Sequence, residues 1–163
     1  MEKNIKKTTL TFTNLVKRRK TTEIIIHCSA TKEGVNVPVT SIHRMHRSKG
    51  WSGIGYHFYI DINGNVWEGR PEDCVGAHAT GHNDRAIGIC YCGGVDANGR
   101  PKDTRTYAQE YSLNHLVAWL CKKYPDAKVS GHRQWANKAC PCFDAAAWAD
   151  TMGFPSDHTV CKV

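Results

Sequence analysis

Three consecutive isoleucines at positions 24, 25 and 26, between Glu23 and His27, constrain this chain more than any other feature. β-Branched side chains stiffen the backbone toward an extended form, and a run without polar alternation needs cover on both faces. The segment reads as a fully buried strand. A second run of this kind, residues 86–91, is ended by Gly93 and Gly94.

Other patterns place the remaining elements. Residues 56–62 alternate, Asn63 and Gly64 supply a turn, and residues 65–68 return, which is a β-hairpin signal. Residues 40–49 suit a short helix with Thr40 or Ser41 as cap and Gly50 as its stop. Thr106 and Gln109 form a capping box, and Leu113, Leu116, Val117 and Leu120 follow at helical spacing until Pro125. Residues 127–130 read as a short strand delivering His132, and Asp144 caps a last helix running through Trp148. Residues 69–85 are polar and glycine-bearing and read as a surface loop.

Strands alternating with helices around a hairpin give the α/β class, a single domain with a central mixed β-sheet flanked by helices. The length of 163 residues fits one core. The expected division is a basic N-terminal arm at 1–21, the folded domain at 22–152 and a tail at 153–163. The arm, closing on Lys17, Arg18, Arg19 and Lys20, reads as a solvated charged tail, with substrate steering as the sharper alternative.

A formal charge of +7 implies an anionic partner: nucleic acid, an acidic membrane surface or an anionic wall polymer. Finger-type Cys/His spacing is missing, which argues against nucleic acid. No stretch approaches the roughly 20 apolar residues of a membrane span. Cysteines at 28, 74, 90, 92, 121, 140, 142 and 161 are scattered, and the N-terminus lacks the apolar core of a signal peptide. Reduced thiols and synthesis in the cytoplasm are the expectation.

His27 closes the first strand, while His132 and Cys140 lie at the exit of the short strand and in the loop after it. Two imidazoles and a thiolate suffice to hold zinc with one open position, where a bound water becomes a nucleophile. Cys142 rivals Cys140 as the sulfur ligand. Lys138 is either an exposed lysine or a donor to an oxyanion, and Tyr56 either packs or handles a proton. Cys90 and Cys92 read as buried small hydrophobes, His43 and His46 as surface residues, and His115 and His158 as structural or exposed. In the polar loop, His78 is a better candidate than His82 for substrate contact.

Several segments carry a family likeness: residues 27–31, Gly50 with Trp51, residues 55–58, Gly69 with Arg70, residues 75–79, 87–96 and 132–144. With these the sequence resembles the zinc-dependent N-acetylmuramoyl-L-alanine amidases, above all the phage branch historically called a lysozyme. The animal peptidoglycan recognition proteins are more distant relatives. The resemblance implies one Zn2+ per chain on His27, His132 and Cys140, catalytic roles for Tyr56 and Lys138, and His78 in the substrate groove. It also implies bacterial peptidoglycan as partner and a monomeric lytic enzyme that reaches the wall after release from the cytoplasm. A non-catalytic peptidoglycan-binding module is the runner-up, disfavoured by the presence of Cys140, Tyr56 and Lys138. Cys142 stands where the phage relative has serine, and the first twenty residues carry no part of the likeness.

Overall fold

The computed structural model describes residues 1–160, so Cys161 and the end of the expected tail lie outside the described residues. A five-stranded sheet runs in the order β4-β3-β5-β1-β7. Its strands are β1 (Glu23–Cys28), β3 (Phe58–Ile60), β4 (Val66–Glu68), β5 (Ala86–Tyr91) and β7 (Lys128–Gly131). β1 lies parallel to β5 and β7, β3 is parallel to β5, and only the β3–β4 hairpin is antiparallel. A small parallel pair, β2 (Thr31–Lys32) with β6 (Gly94–Val95), sits beside it. The sheet is mixed, as the sequence pattern requires.

Both faces are covered, which is why β1 carries no polar alternation. On one face Ile24, Ile26, Ile87 and Ile89 pack with Leu113, Leu116, Val117 and Leu120 of α2 (Tyr107–Lys123) and with Ala145 and Ala149 of α3 (Ala145–Met152). On the other, Tyr59 and Cys90 meet Val39 and Ile42 of α1 (Val39–Ser48). Side chains alternate along a strand, so His27 shares the face of Ile25 rather than that of Ile24 and Ile26. Thr106 caps α2 with the expected reciprocal box, and the Asp144 side chain accepts from Ala147 N–H at the start of α3.

Four expectations need correction, the last of them the reading of the basic arm as a solvated tail. The α1 helix starts at Val39 after Pro38, and no side chain caps it, so neither Thr40 nor Ser41 has that role. His43 and His46 are buried rather than at the surface. Their Nδ1 atoms accept the backbone N–H groups of Ile54 at 3.0 Å and Gly55 at 2.9 Å, donors that this buried loop cannot give to water. The segment 69–85 is no surface loop either, because Arg70, Cys74, His78 and Ala79 are buried. The Arg70 guanidinium donates to the carbonyls of Gly53, Ile54 and Val75, tying this segment to the loop after α1. A Cβ on Gly55 would meet the Ala77 carbonyl oxygen at 1.9 Å, so only glycine lets the two segments lie together.

The basic arm is laid down on the domain. Lys6 pairs in parallel beside Trp67, with Lys6 N–H donating to Val66 O at 2.8 Å and Glu68 N–H to Lys6 O at 2.9 Å. β4 is an edge strand, and this contact covers its free backbone groups. Further on, Lys17 bridges Cys74, and the half-buried Arg18 guanidinium donates to the carbonyls of Glu72 and Cys74 at 2.6 and 2.9 Å. Ile5 is buried, and Phe12 meets His43 edge-on at 5.1 Å. Among the described residues, no helix is long and apolar enough to cross a membrane.

Candidate metal centre

Parallel strands bring equivalent ends together, and this builds the site. β1 and β7 are neighbours with Ile26 opposite Gly131, so His27 and His132 emerge side by side. His132 opens a single 3-10 turn (His132–Gln134), and the loop closes where Arg133 N–H donates to Cys140 O at 2.7 Å. That closure returns Cys140 to the end of β1, where its Sγ accepts Cys28 N–H at 3.2 Å.

His27, His132 and Cys140 each offer a donor atom, and the three atoms lie within 4.8 Å of one another. The Nδ1 atoms of the two histidines are 3.1 Å apart. Ligands around a tetrahedral zinc with Zn–N near 2.0–2.1 Å and Zn–S near 2.3 Å stand about 3.3–3.6 Å from one another. The separations suit such an ion after small adjustments. Cys142 lies outside the group: its Sγ contacts Gly94 O at 3.2 Å and Cys28 Sγ at 3.9 Å, and burial first, then Cys28, pushes its thiol up to about 12.

The electrostatics suit a cation as well. Burial first, then the neighbouring His78, His132 and Lys138, holds the His27 imidazolium well below its ordinary range. Burial and then Lys138 lower His132 to about 4. Both rings are neutral at pH 7 and have lone pairs to give. His78 sets which lone pair His27 presents. Its Nε2–H faces Ala86 O at 3.4 Å, which leaves its Nδ1 to accept Nε2–H of His27 at 2.9 Å and frees His27 Nδ1 for a metal. Gly88 makes room for this support, since a Cβ there would lie 2.6 Å from His78 Cγ.

The other expected residues surround this centre. The Tyr56 ring lies 5.1 Å from that of His27, and burial, then the nearby cysteine sulfurs, keeps its phenol protonated far above its ordinary range. Lys138 is exposed and lines a groove of about 290 Å³ with His78 and His132. His78 is therefore both buried behind His27 and a lining residue of the groove. Trp51, Asn83 and Trp135 line that groove too, and the sequence reading gave none of them a role. A tryptophan inside a polar, proline-stopped loop was the available signal for Trp135.

Residues 17–143 match the family model described as N-acetylmuramoyl-L-alanine amidase. The match leaves out most of the basic arm. The chain is 42% identical over 135 residues to an endolysin of Enterobacteria phage K11, covering 83% of this chain and 89% of that protein. It is 45% identical over 133 residues to the endolysin of Enterobacteria phage T3, covering 81% and 88%. The solved N-acetylmuramoyl-L-alanine amidase LysC from Clostridium intestinale superposes with a TM-score of 0.80 at 30% identity, over 92% of this chain and 97% of that one.

Proposed function

Because this chain belongs to the N-acetylmuramoyl-L-alanine amidase family, we propose that it hydrolyses the amide between the lactyl group of N-acetylmuramic acid and L-alanine, using zinc. The chain is a peptidoglycan amidase, and the convergence of His27, His132 and Cys140 is the observation that carries its zinc dependence. When bound there, zinc supplies Lewis acidity and lowers the pKa of a coordinated water toward neutrality.

The chain's own groups do the rest. His27 and His132 give neutral lone pairs and Cys140 a thiolate, while His78 keeps His27 in the tautomer that presents Nδ1. As the scissile carbonyl becomes tetrahedral, the Lys138 ammonium donates to the developing oxyanion from the groove wall. The Tyr56 phenol, held protonated beside His27, orients the attacking water and relays a proton to the leaving amine. The positive formal charge draws the protein to anionic wall polymers, an attraction that salt screens.

The relatives named as phage endolysins support a lytic role, in which enzyme made in the cytoplasm meets the wall after release. A purely binding module is disfavoured, since Cys140 and the Tyr56 ring lie close to His27, and Lys138 lines a groove with His132. Mass analysis of digested muropeptides is expected to show free stem peptides beginning at L-alanine and intact MurNAc ends. Chelator should abolish that release and added zinc restore it. Products cut within the glycan or within the peptide would overturn the assignment.

A further inference from the structure

Trp135 has a support that the metal chemistry does not require. Its Nε1–H donates at 2.8 Å to the hydroxyl of Ser130, a fully buried side chain on β7. The His82 ring lies against the indole, centroids 4.4 Å apart and planes at 36°. His82 is held in turn, its Nδ1 lying 3.0 Å from both carboxylate oxygens of the buried Glu23, which also pairs with Arg85. One side of the indole is thus fixed by a chain running back to the first residue of β1. What remains of it lines the groove beside His78, His132 and Lys138.

The lining decides what that groove can take. Beyond Trp135 and Trp51 it offers Ala77, Ala79, Thr80 and Asn83, and Lys138, near His132, is the only charged side chain among its described lining residues. A second groove, also lined by Lys138, carries Arg133, His158 and Asp144. A stem peptide bearing carboxylates suits the charged groove. An N-acetylated hexose is uncharged and presents apolar C–H edges that pack on a rigid indole, with hydroxyls for Thr80 and Asn83.

We propose that Trp135 is a specificity-determining residue that receives a sugar ring of the glycan next to the scissile amide, with His82 and Glu23 as its positioning residues. The proposal rests on the amidase reading of the same site. A pre-fixed indole gives binding without the entropic cost of ordering a mobile side chain.

The test compares two substrates of the zinc-loaded, full-length protein: a GlcNAc–MurNAc tetrapeptide, and a D-lactoyl tetrapeptide that keeps the amide but has no sugar ring. Trp135→Ala should raise KM on the first about ten-fold with kcat little changed, and leave kcat/KM on the second within about two-fold. Trp135→Leu, which keeps apolar bulk, should show the same selectivity of loss. His82→Gln should lose part of the effect, and adding it to Trp135→Ala should cost nothing further. In chelated protein, peptide-free GlcNAc–MurNAc should quench tryptophan fluorescence, and Trp135→Leu should remove the response. Equal losses on both substrates would show that the indole merely props the metal loop and overturn the proposal, as would no change on either. If the unaltered enzyme cut neither substrate, the amidase reading would fall instead, and the fluorescence titration would still decide the role of Trp135.

Discussion

Two groups of buried or half-buried histidines sit in this fold, and they differ in what their ring nitrogens face. On α1 and just before β3, the Nδ1 atoms of His43, His46 and His57 accept backbone N–H groups from Ile54, Gly55 and Gly88. At the ends of β1 and β7, the Nδ1 atoms of His27 and His132 face each other, with a cysteine sulfur close by. Both groups titrate low, and burial is the first cause in each. Burial and a depressed pKa therefore do not mark a catalytic histidine here. A ring whose Nδ1 is taken by an amide has nothing left to give a metal on that side, and this is the distinction that separates framework from site.

The sharpest way to break this contrast is to remove a ligand. Cys140→Ser or His132→Ala should abolish bound zinc and lower turnover by more than about 10³-fold, measured by metal analysis and wall-lysis rate. Retained zinc with retained turnover would dissolve the distinction. Next in size, Lys138→Ala should lower kcat by about 10²–10³-fold while zinc stays bound, because a donor to the oxyanion is lost and no ligand is. Zinc loss in that variant would move Lys138 into the metal's support.

Acid should then find the framework. His57 is lowered to about 3, by burial first, against 6.5 in the unfolded chain. Below pH 6.5 the unfolded chain takes up a proton that the folded one refuses, so stability is complete above 6.5 and falls as the pH drops toward 3. By pH 4 this one ring should cost about 3 kcal/mol. His57→Gln should flatten the slope of unfolding free energy between pH 6.5 and 4; an unchanged slope would remove His57 from the argument. The smallest effect is expected for His46→Ala, a loss of about 1–3 kcal/mol as Gly55 N–H is left without its acceptor. Zinc content should not change, and metal loss on that substitution would merge the two groups.

The two central strands were legible from residue type alone. Residues 86–91 match β5, and the triple isoleucine marks the core of β1, because β-branched runs carry their conformation locally. The Thr106 and Asp144 caps were legible for the same reason, since a cap is satisfied within four residues. The lie of the basic arm was not. Lys6 and Lys17 are ordinary exposed lysines by sequence, and their bridges are made by backbone to Trp67 and Cys74, which leaves no trace in side-chain type. The burial of His43 and His46 was hidden likewise, for the donors they accept lie on another segment. Trp135 stood within a loop valued for its metal ligands, and its meaning depends on His82, Glu23 and Ser130.

By itself the sequence determined the elements, the donor types and the order in which they come, since propensity, capping and ligand chemistry act within a few residues. Tertiary structure decided which ring nitrogens converge with a sulfur and which accept backbone amides to hold the frame. That choice depends on whether a ring nitrogen reaches a distant backbone amide or a distant sulfur, and only the pairing of strands far apart in the chain fixes those distances.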